Sequence, residues 1–473
     1  MNRVPTGIAG LDRILLGGFV PGSAVLVDGT PGSGKTNLGL QFVHCGATMY
    51  GEPGLVITFE EFSHQVIRDA LALGWDLQAL IGQRVLRIVP TSPAVFQQEM
   101  AGADGLISEM IREMGAKRIL IDSVSHFARL CASETERREV FNALVNMLRR
   151  SGLTSLLTRE VHFRPGLGRD EEVSFEQYAA DAALRLSYEP VDETRRARYV
   201  EVVKARGQGF IPGKHLFDIA EGGLTVFPNF DPGELTDRTE CGAIERLSTG
   251  VPGLDDMLEG GLVRGFTTLV AGPAGGGKTA IGMQFLAEGA RRGEAGLFVS
   301  LRSSSEKLRR QIAALEVELN QPGAAPVRIA CEHPAMVNPY RVLESVIADA
   351  GERNVRRVVL DSTGEIEQAF NDAARFQQWV FDFVNRLYVK GVTALLLGGP
   401  VGSFEPTELA STAIAGIVDG IIGLCNVHAR GEIRQGLYVL KSRGAGHSTD
   451  VRPYTISAGG LRVVTRRVSV YDE

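Results

Sequence analysis

Residues 29–36 read G-T-P-G-S-G-K-T, and residues 272–279 read G-P-A-G-G-G-K-T. An apolar run precedes each stretch, Ala24 to Val27 in the first and Thr268 to Val270 in the second, and a run of helical spacing follows. A strand, a glycine-rich loop and a helix in that order make a phosphate cradle. The glycines let backbone N–H groups turn inward, and the helix start adds partial positive charge. The first cradle comprises Gly29, Thr30, Pro31, Gly32, Ser33, Gly34, Lys35 and Thr36; the second comprises Gly272, Pro273, Ala274, Gly275, Gly276, Gly277, Lys278 and Thr279. Lys35 and Lys278 are expected to reach the β- and γ-phosphates of a nucleotide, and Thr36 and Thr279 to hold Mg²⁺.

The two halves match well beyond these loops. T-G-I-A-G-L-D-R-I-L-L-G-G (6–18) returns as T-G-V-P-G-L-D-D-M-L-E-G-G (249–261), at the same spacing that separates Lys35 from Lys278. R-I-L-I-D-S (118–123) returns as R-V-V-L-D-S (357–362), V-V-K-A-R-G (202–207) as V-L-K-S-R-G (439–444), and G-G-L-T-V (222–226) as G-G-L-R-V (459–463). Constant spacing over so long a stretch means a duplicated domain. The polar, turn-rich N-F-D-P-G-E-L-T-D-R-T-E between Pro228 and Cys241 reads as a linker. The expected organisation is a first domain over 1–227, a linker over 228–242 and a second domain over 243–473.

Within the first copy, β-rich runs near residues 55–59, 85–88, 118–121 and 153–158 alternate with helical patterns near 65–73 and 140–150. Such alternation predicts an α/β fold: two tandem P-loop NTPase domains of RecA-like type, each a mainly parallel sheet flanked by helices. Phosphates then sit at the carboxyl ends of the strands.

Composition narrows the class. With 44% hydrophobic and 22% charged residues the chain reads as globular, and its length of 473 residues exceeds one ordinary core. A net charge of −6 gives no overall basic footprint for nucleic acid. The five cysteines include no C-x-x-C pair, which reads against a zinc site or a disulfide framework. The first ten residues lack the apolar core of a signal peptide and no run is long enough to span a bilayer, so a cytoplasmic protein without membrane contact is expected.

Asp122 and Asp361 end apolar strands and each precedes a serine, the position at which an NTPase of this class supports Mg²⁺. Hydrolysis also needs a carboxylate beside the attacking water. L-V-I-T-F-E-E places Glu60 and Glu61 at a strand end in the first copy, where they read equally as catalytic groups and as an acidic first turn favoured by a helix dipole. The second copy has L-F-V-S-L-R-S there, so Arg302 and Ser303 replace them, and arginine accepts no proton. S-S-S-E (303–306) has the capping-box form, which favours a helix cap for Glu306 over a relocated base. Copy one is therefore expected to hydrolyse ATP and copy two chiefly to bind it. The pairs Lys204/Arg206 and Lys441/Arg443 lie late in each domain, remote from their own loop, where they can serve as trans-acting fingers on a neighbouring subunit's γ-phosphate.

With these residues assembled, the chain resembles the KaiC family of tandem RecA-like ATPases over nearly its whole length. The features that carry the resemblance are T-G-x-x-G-L-D…G-G ahead of each phosphate loop, Glu60-Glu61, the two strands ending in Asp122 and Asp361, and K-x-R-G near each domain's end. The resemblance implies a homohexameric double ring with ATP at subunit interfaces, a catalytic role for Glu60 and Glu61 with Glu60 activating water, and a protein partner it does not identify. Clock members of the family autophosphorylate a serine–threonine pair in the second domain. Aligning Asp419 with the aspartate after that pair leaves Ala415 and Gly416 at the acceptor positions, with Ser411 and Thr412 four residues upstream. Autokinase activity is accordingly not expected, and the short run after Val463 offers no long regulator-binding tail. A DNA-dependent RecA-type motor would need V-H-F-R-P-G-L-G-R-D-E-E (161–172) as a pore loop, with Arg164 and Arg169 on phosphates. Its three acids favour a surface loop instead.

Overall fold

The computed structural model describes residues 2–101, 105–161, 174–191, 195–229, 245–319, 321–333, 337–370, 372–399, 409, 414–429 and 432–464. The chain divides into two units, Met1–Asn229 and Phe230–Glu473.

In the first unit Ala24-Val25-Leu26-Val27 is apolar at every position, and the strand it forms is buried throughout. That is the pattern of a strand covered on both faces. Val25 and Val27 pack on one side with Leu38, Phe42 and Val43 of the helix Lys35–Met49. Ala24 and Leu26 pack on the other with Leu144 and Leu148 of the helix Glu134–Arg150. The strands are β1 (Ala24–Gly29), β2 (Gly54–Thr58), β3 (Leu86–Pro90), β4 (Arg118–Asp122), β5 (Thr154–Glu160), β6 (Ala182–Pro190), β7 (Arg196–Ala205), β8 (Lys214–Ala220) and β9 (Gly223–Phe227). They form one nine-stranded sheet in the order β3-β2-β4-β5-β1-β6-β7-β8-β9. The pairings from β3 through β6 are parallel, and β6 to β9 continue as an antiparallel meander.

The second unit repeats this plan. A small antiparallel pair, β10 (Arg246–Leu247) and β11 (Leu262–Val263), precedes β12 (Thr267–Ala271), β13 (Ala295–Ser300), β14 (Val327–Cys331), β15 (Val355–Asp361), β16 (Thr393–Gly398), β17 (Gly420–Ala429), β18 (Glu432–Ser442), β19 (Arg452–Ser457) and β20 (Gly460–Val463). The sheet order β14-β13-β15-β16-β12-β17-β18-β19-β20 is the first unit's order again.

The recurring T-G-x-x-G-L-D motif is a clasp. Asp12 accepts hydrogen bonds from the Thr6 and Gly7 N–H groups at 2.6 and 3.1 Å, and Asp255 accepts from the Thr249 N–H at 2.8 Å. The turn so closed is stitched to the end of its own unit: Val226 N–H donates to the Ala9 carbonyl, and Val463 N–H to that of Pro252. Gly10, at φ 81°, leaves room for this approach, since a Cβ there would lie 1.9 Å from the Val226 carbonyl oxygen. The motif and the distant G-G-L-x-V therefore recur together because they touch.

The arginine opening R-I-L-I-D-S is wholly buried. Arg118 pairs with Glu52 at 2.6 Å, donates to the Phe42 carbonyl at 2.8 Å and lies over the Phe42 ring. Arg357 does the same with Glu294, the Phe285 carbonyl and the Phe285 ring. Each arginine fixes the strand whose last residue is the site aspartate. One sequence expectation fails locally: the helix Ser305–Ala314 is capped by Ser304, whose hydroxyl accepts from the Lys307 N–H. Ser303 is engaged instead with Ser300, and Glu306 pairs with Arg310 one turn on, so no S-x-x-E box forms.

Candidate functional site

Each phosphate loop leaves the carboxyl end of its unit's central strand and runs into a helix that begins at the loop lysine. Two glycines in each loop take left-handed backbone, Gly32 (φ 74°) and Gly34 (φ 98°) in the first and Gly275 (φ 76°) and Gly277 (φ 94°) in the second. Side chains would strain these positions, which explains the glycine pattern. Lys35 and Lys278 fold over their loops, donating to the Thr30 carbonyl at 3.0 Å and to the Gly272 and Pro273 carbonyls at 2.6 and 2.8 Å. Burial lowers both amine pKa values from the usual lysine range, opposed by Glu160, Asp122 and Asp28 around Lys35 and by Asp361 beside Lys278.

The loop threonine and the strand-end aspartate meet in both units. Thr36 Oγ1 donates to Asp122 Oδ2 at 2.7 Å, and Thr279 Oγ1 to Asp361 Oδ2 at 2.9 Å. The second oxygen of Asp122 accepts from Thr158. Burial raises the Asp361 pKa, opposed by the Thr279 hydroxyl and by Arg302 and Lys278. A hydroxyl and a carboxylate side by side form a hard-oxygen donor set of the kind that shares a small divalent cation with substrate phosphates. Among the described residues no three His, Cys, Asp or Glu side chains converge into a metal cage.

The first site opens into a cavity of about 350 Å³ that brings Lys35, Thr36, Glu60, Glu61 and Asp122 together. Glu60 Oε1 lies 3.2 Å from His126 Nε2. The Glu61 carboxyl is pushed above the usual glutamate range, first by burial and next by the charge of Asp122. The cavity is also lined by three ionisable side chains that no sequence motif marks, His126, Glu160 and Arg198. His126 sits in the short turn Val124–Arg129 after β4, and Glu160 ends β5. Arg198 comes from the antiparallel extension, where its Nε approaches the Gly32 carbonyl at 3.4 Å. Glu160 had a usable signal, a carboxylate closing an apolar strand at the carboxyl edge. Arg198 had none, because it lies near the start of β7, outside the V-V-K-A-R-G repeat that closes the same strand.

The second site differs where the glutamates would be. Arg302 Nε contacts Glu365 Oε1 at 2.9 Å, and Glu365 also accepts from the Ser362 hydroxyl. Tyr454 donates its buried hydroxyl to the Gly276 carbonyl at 2.7 Å, steadying the loop from β19, whereas Phe217 lies near Gly34 in the first unit.

The K-x-R pairs sit at the opposite end of the sheet from their own loops, Lys204 facing Ala183 and Ser442 facing Gly420 in the register. Lys204 Nζ donates to the carbonyls of Gln177, Tyr178 and Ala180, and Arg206 to that of Tyr178. Lys441 donates to the carbonyls of Ala415 and Val418, and Arg443 to that of Gly416. Each lysine thus caps a turn of its own unit, while each arginine holds one carbonyl. Asp419 accepts from the Thr267 N–H and lies 3.6 Å from Arg443. Ser411, Thr412, Arg164 and Arg169 lie outside the described residues. Among the described residues no helix is long and apolar enough to cross a membrane.

A family model described as the KaiC ATPase matches residues 4–231 and again 247–468. Among curated proteins, the chain is 31% identical to the circadian clock oscillator protein KaiC of Picosynechococcus sp., over 98% of this chain and 90% of that protein. It is likewise 31% identical to the corresponding protein of Thermosynechococcus vestitus, over 98% and 89%. Identity to the circadian clock oscillator protein KaiC 1 of Synechocystis sp. is 31%, over 97% and 88%. Two loop–threonine–aspartate sites on two copies of one sheet, matched twice by one family model, establish that this chain belongs to the KaiC family of tandem ATPases.

Proposed function

We propose that the first site hydrolyses ATP, that the second holds ATP as a slowly exchanging structural ligand, and that the chain assembles as a homohexameric double ring signalling through nucleotide state. The observation that carries this reading is the asymmetry beside otherwise matching sites: Glu60 and Glu61 line the first cavity, and Arg302 occupies the corresponding strand end in the second. Thr36 and Asp122, and Thr279 and Asp361, would hold Mg²⁺, which supplies charge neutralisation on the transferring phosphoryl group. Around it the chain's own groups do the work. The loop N–H groups and Lys35 orient the phosphates, and Glu60 takes the proton of the attacking water, with His126 orienting its carboxylate. Arg206 and Arg443 act in trans on a neighbour's nucleotide, with Lys204 and Lys441 beside them.

The same asymmetry argues against self-phosphorylation at Ser411 or Thr412, because Arg302 cannot serve as base for a hydroxyl and the carboxylate beside it, Glu365, is held in an ion pair. An unidentified protein partner would read the ring's surface. The test is nucleotide analysis of the chain after free ATP is removed. Retained ATP at the second site with ADP formed at the first supports the reading, and equal conversion at both sites overturns it.

A further inference from the structure

Two facing positions flank each nucleotide site, and the two units fill them with charges in opposite order. In the first unit the residue after Phe59 is Glu60, and it faces His126 in the turn that follows Asp122. In the second unit the residue after Leu301 is Arg302, and it faces Glu365 in the helix Thr363–Phe370 that follows Asp361. The backbone fixes the correspondence, for Phe59 N–H donates to the Asp122 carbonyl and Leu301 N–H to the Asp361 carbonyl. His126 lines the first nucleotide cavity. Glu365 holds the matching place in the second unit, so the carboxylate missing from the strand end has reappeared across the pair.

Glu365 is also oriented. Its side chain is only 14% exposed, against 58% for Arg302, so the carboxylate faces inward and the guanidinium outward. One carboxylate oxygen accepts from Ser362 and the other is held by Arg302. Ser362 follows Asp361 directly, and Asp361 accepts from Thr279 of the phosphate loop. The chain Thr279–Asp361–Ser362–Glu365 therefore leads from the loop to the carboxylate without a gap.

We propose that Glu365 is the water-activating carboxylate of the second site, and that Arg302 is a latch occupying the oxygen that would receive the proton. The proposal rests on ATP binding by the second loop. When Arg302 is withdrawn, Glu365 Oε1 is free to accept a proton from a water that attacks the γ-phosphorus. The new P–O bond forms as the bond from that phosphorus to the β–γ bridging oxygen breaks. ADP departs with the electron pair, and the proton returns from Glu365 to the inorganic phosphate or to solvent. The salt bridge thereby accounts for a second site that binds nucleotide and turns it over slowly.

The test uses the full chain carrying Glu60→Gln and Glu61→Gln, which leaves both phosphate loops intact and makes residual phosphate release report on the second site. Adding Arg302→Ala should raise that rate about tenfold or more. Adding Glu365→Gln to the Arg302→Ala chain should remove the gain through kcat, by about tenfold or more, with KM and the amount of bound ATP unchanged. Glu365→Asp should keep part of the gain. If Arg302→Ala does not fold, Arg302→Gln keeps the polar length without the charge and should give the same gain. An unchanged rate after loss of Arg302, or a gain that survives Glu365→Gln, overturns the proposal. Undiminished turnover in the Glu60→Gln/Glu61→Gln chain itself would instead overturn the first-site reading, a separate outcome.

Discussion

Gly46→Ala should destabilise the first unit, although on an exposed helix the same change would stabilise it by up to about 1 kcal/mol. Gly46 lies in the helix after the phosphate loop, and a Cβ there would stand 2.4 Å from Arg118 Cδ and 2.6 Å from its Nε. Comfortable carbon contacts need about 3.5–4.0 Å, so one partner must retreat by more than an ångström. Arg118 has nowhere to go while it is bound to Glu52 and to the Phe42 carbonyl and stacked on Phe42. Overpacking of this kind costs about 1–3 kcal/mol, and expelling Arg118 with loss of its buried pair costs about 3–5 kcal/mol. The net effect expected is a loss of about 1–3 kcal/mol. Because Arg118 starts β4 and Asp122 ends it, the Thr36–Asp122 contact should loosen too, weakening nucleotide binding. Urea unfolding followed by tryptophan emission reads the effect, with Trp75 reporting the first unit and Trp379 the second. Gly82→Ala is the control, since a Cβ there meets nothing within 4 Å. If Gly46→Ala leaves the first unit as stable as Gly82→Ala does, Arg118 is not held rigidly against the helix.

Three further outcomes are expected. The Glu61 carboxyl is raised by burial and by Asp122, so if it assists in ionised form, first-site turnover should fall with acidification at a higher pH than an ordinary glutamate would give. Its contribution to stability runs the other way, being complete below the ordinary glutamate range and lost as pH rises through the raised value. Glu61→Gln should therefore flatten the acid limb of phosphate release and slightly raise the melting temperature at neutral pH. Asp122→Asn removes the carboxylate that accepts from Thr36, and half-maximal activity should then need about 10–100-fold more Mg²⁺, with chelation abolishing turnover in either form. Intact-mass measurement after incubation with Mg·ATP should show no added phosphate; an added phosphate abolished by Ser411→Ala or Thr412→Ala would establish self-phosphorylation.

The parts legible in the sequence were those with local rules. Glycines that need left-handed backbone, a lysine and threonine opening a helix, and an aspartate ending an apolar strand declare themselves by spacing alone, and the repeat makes each reading twice. The apolar run Ala24 to Val27 likewise announced the strand that leads into the first phosphate loop. Residues brought to the site by topology were not legible. His126 and Arg198 come from separate elements that only the sheet order gathers, whereas Glu160 closes an apolar strand and carried that much of a signal. Glu365 carries no motif, because it stands across an ion pair from the strand end where the first copy has its glutamates. The capping box at 303–306 failed because three consecutive serines offer three caps, and the hydrogen bond between Ser303 and Ser300 commits the first to a turn. The K-x-R pairs were placed at the far end of the sheet by their position in sequence, but their carbonyl partners depend on a turn that sequence spacing does not announce.

If the two matching phosphate loops divide the labour, Glu60→Gln and Lys278→Ala should have opposite effects. Steady-state phosphate release should fall by about 10²–10⁴-fold in Glu60→Gln while nucleotide stays bound at the second site. Lys278→Ala should instead keep most of the turnover per assembled chain and weaken assembly, as read by size-exclusion chromatography. Turnover that survives the loss of Glu60 and disappears with Lys278 would place hydrolysis in the second site instead of the first.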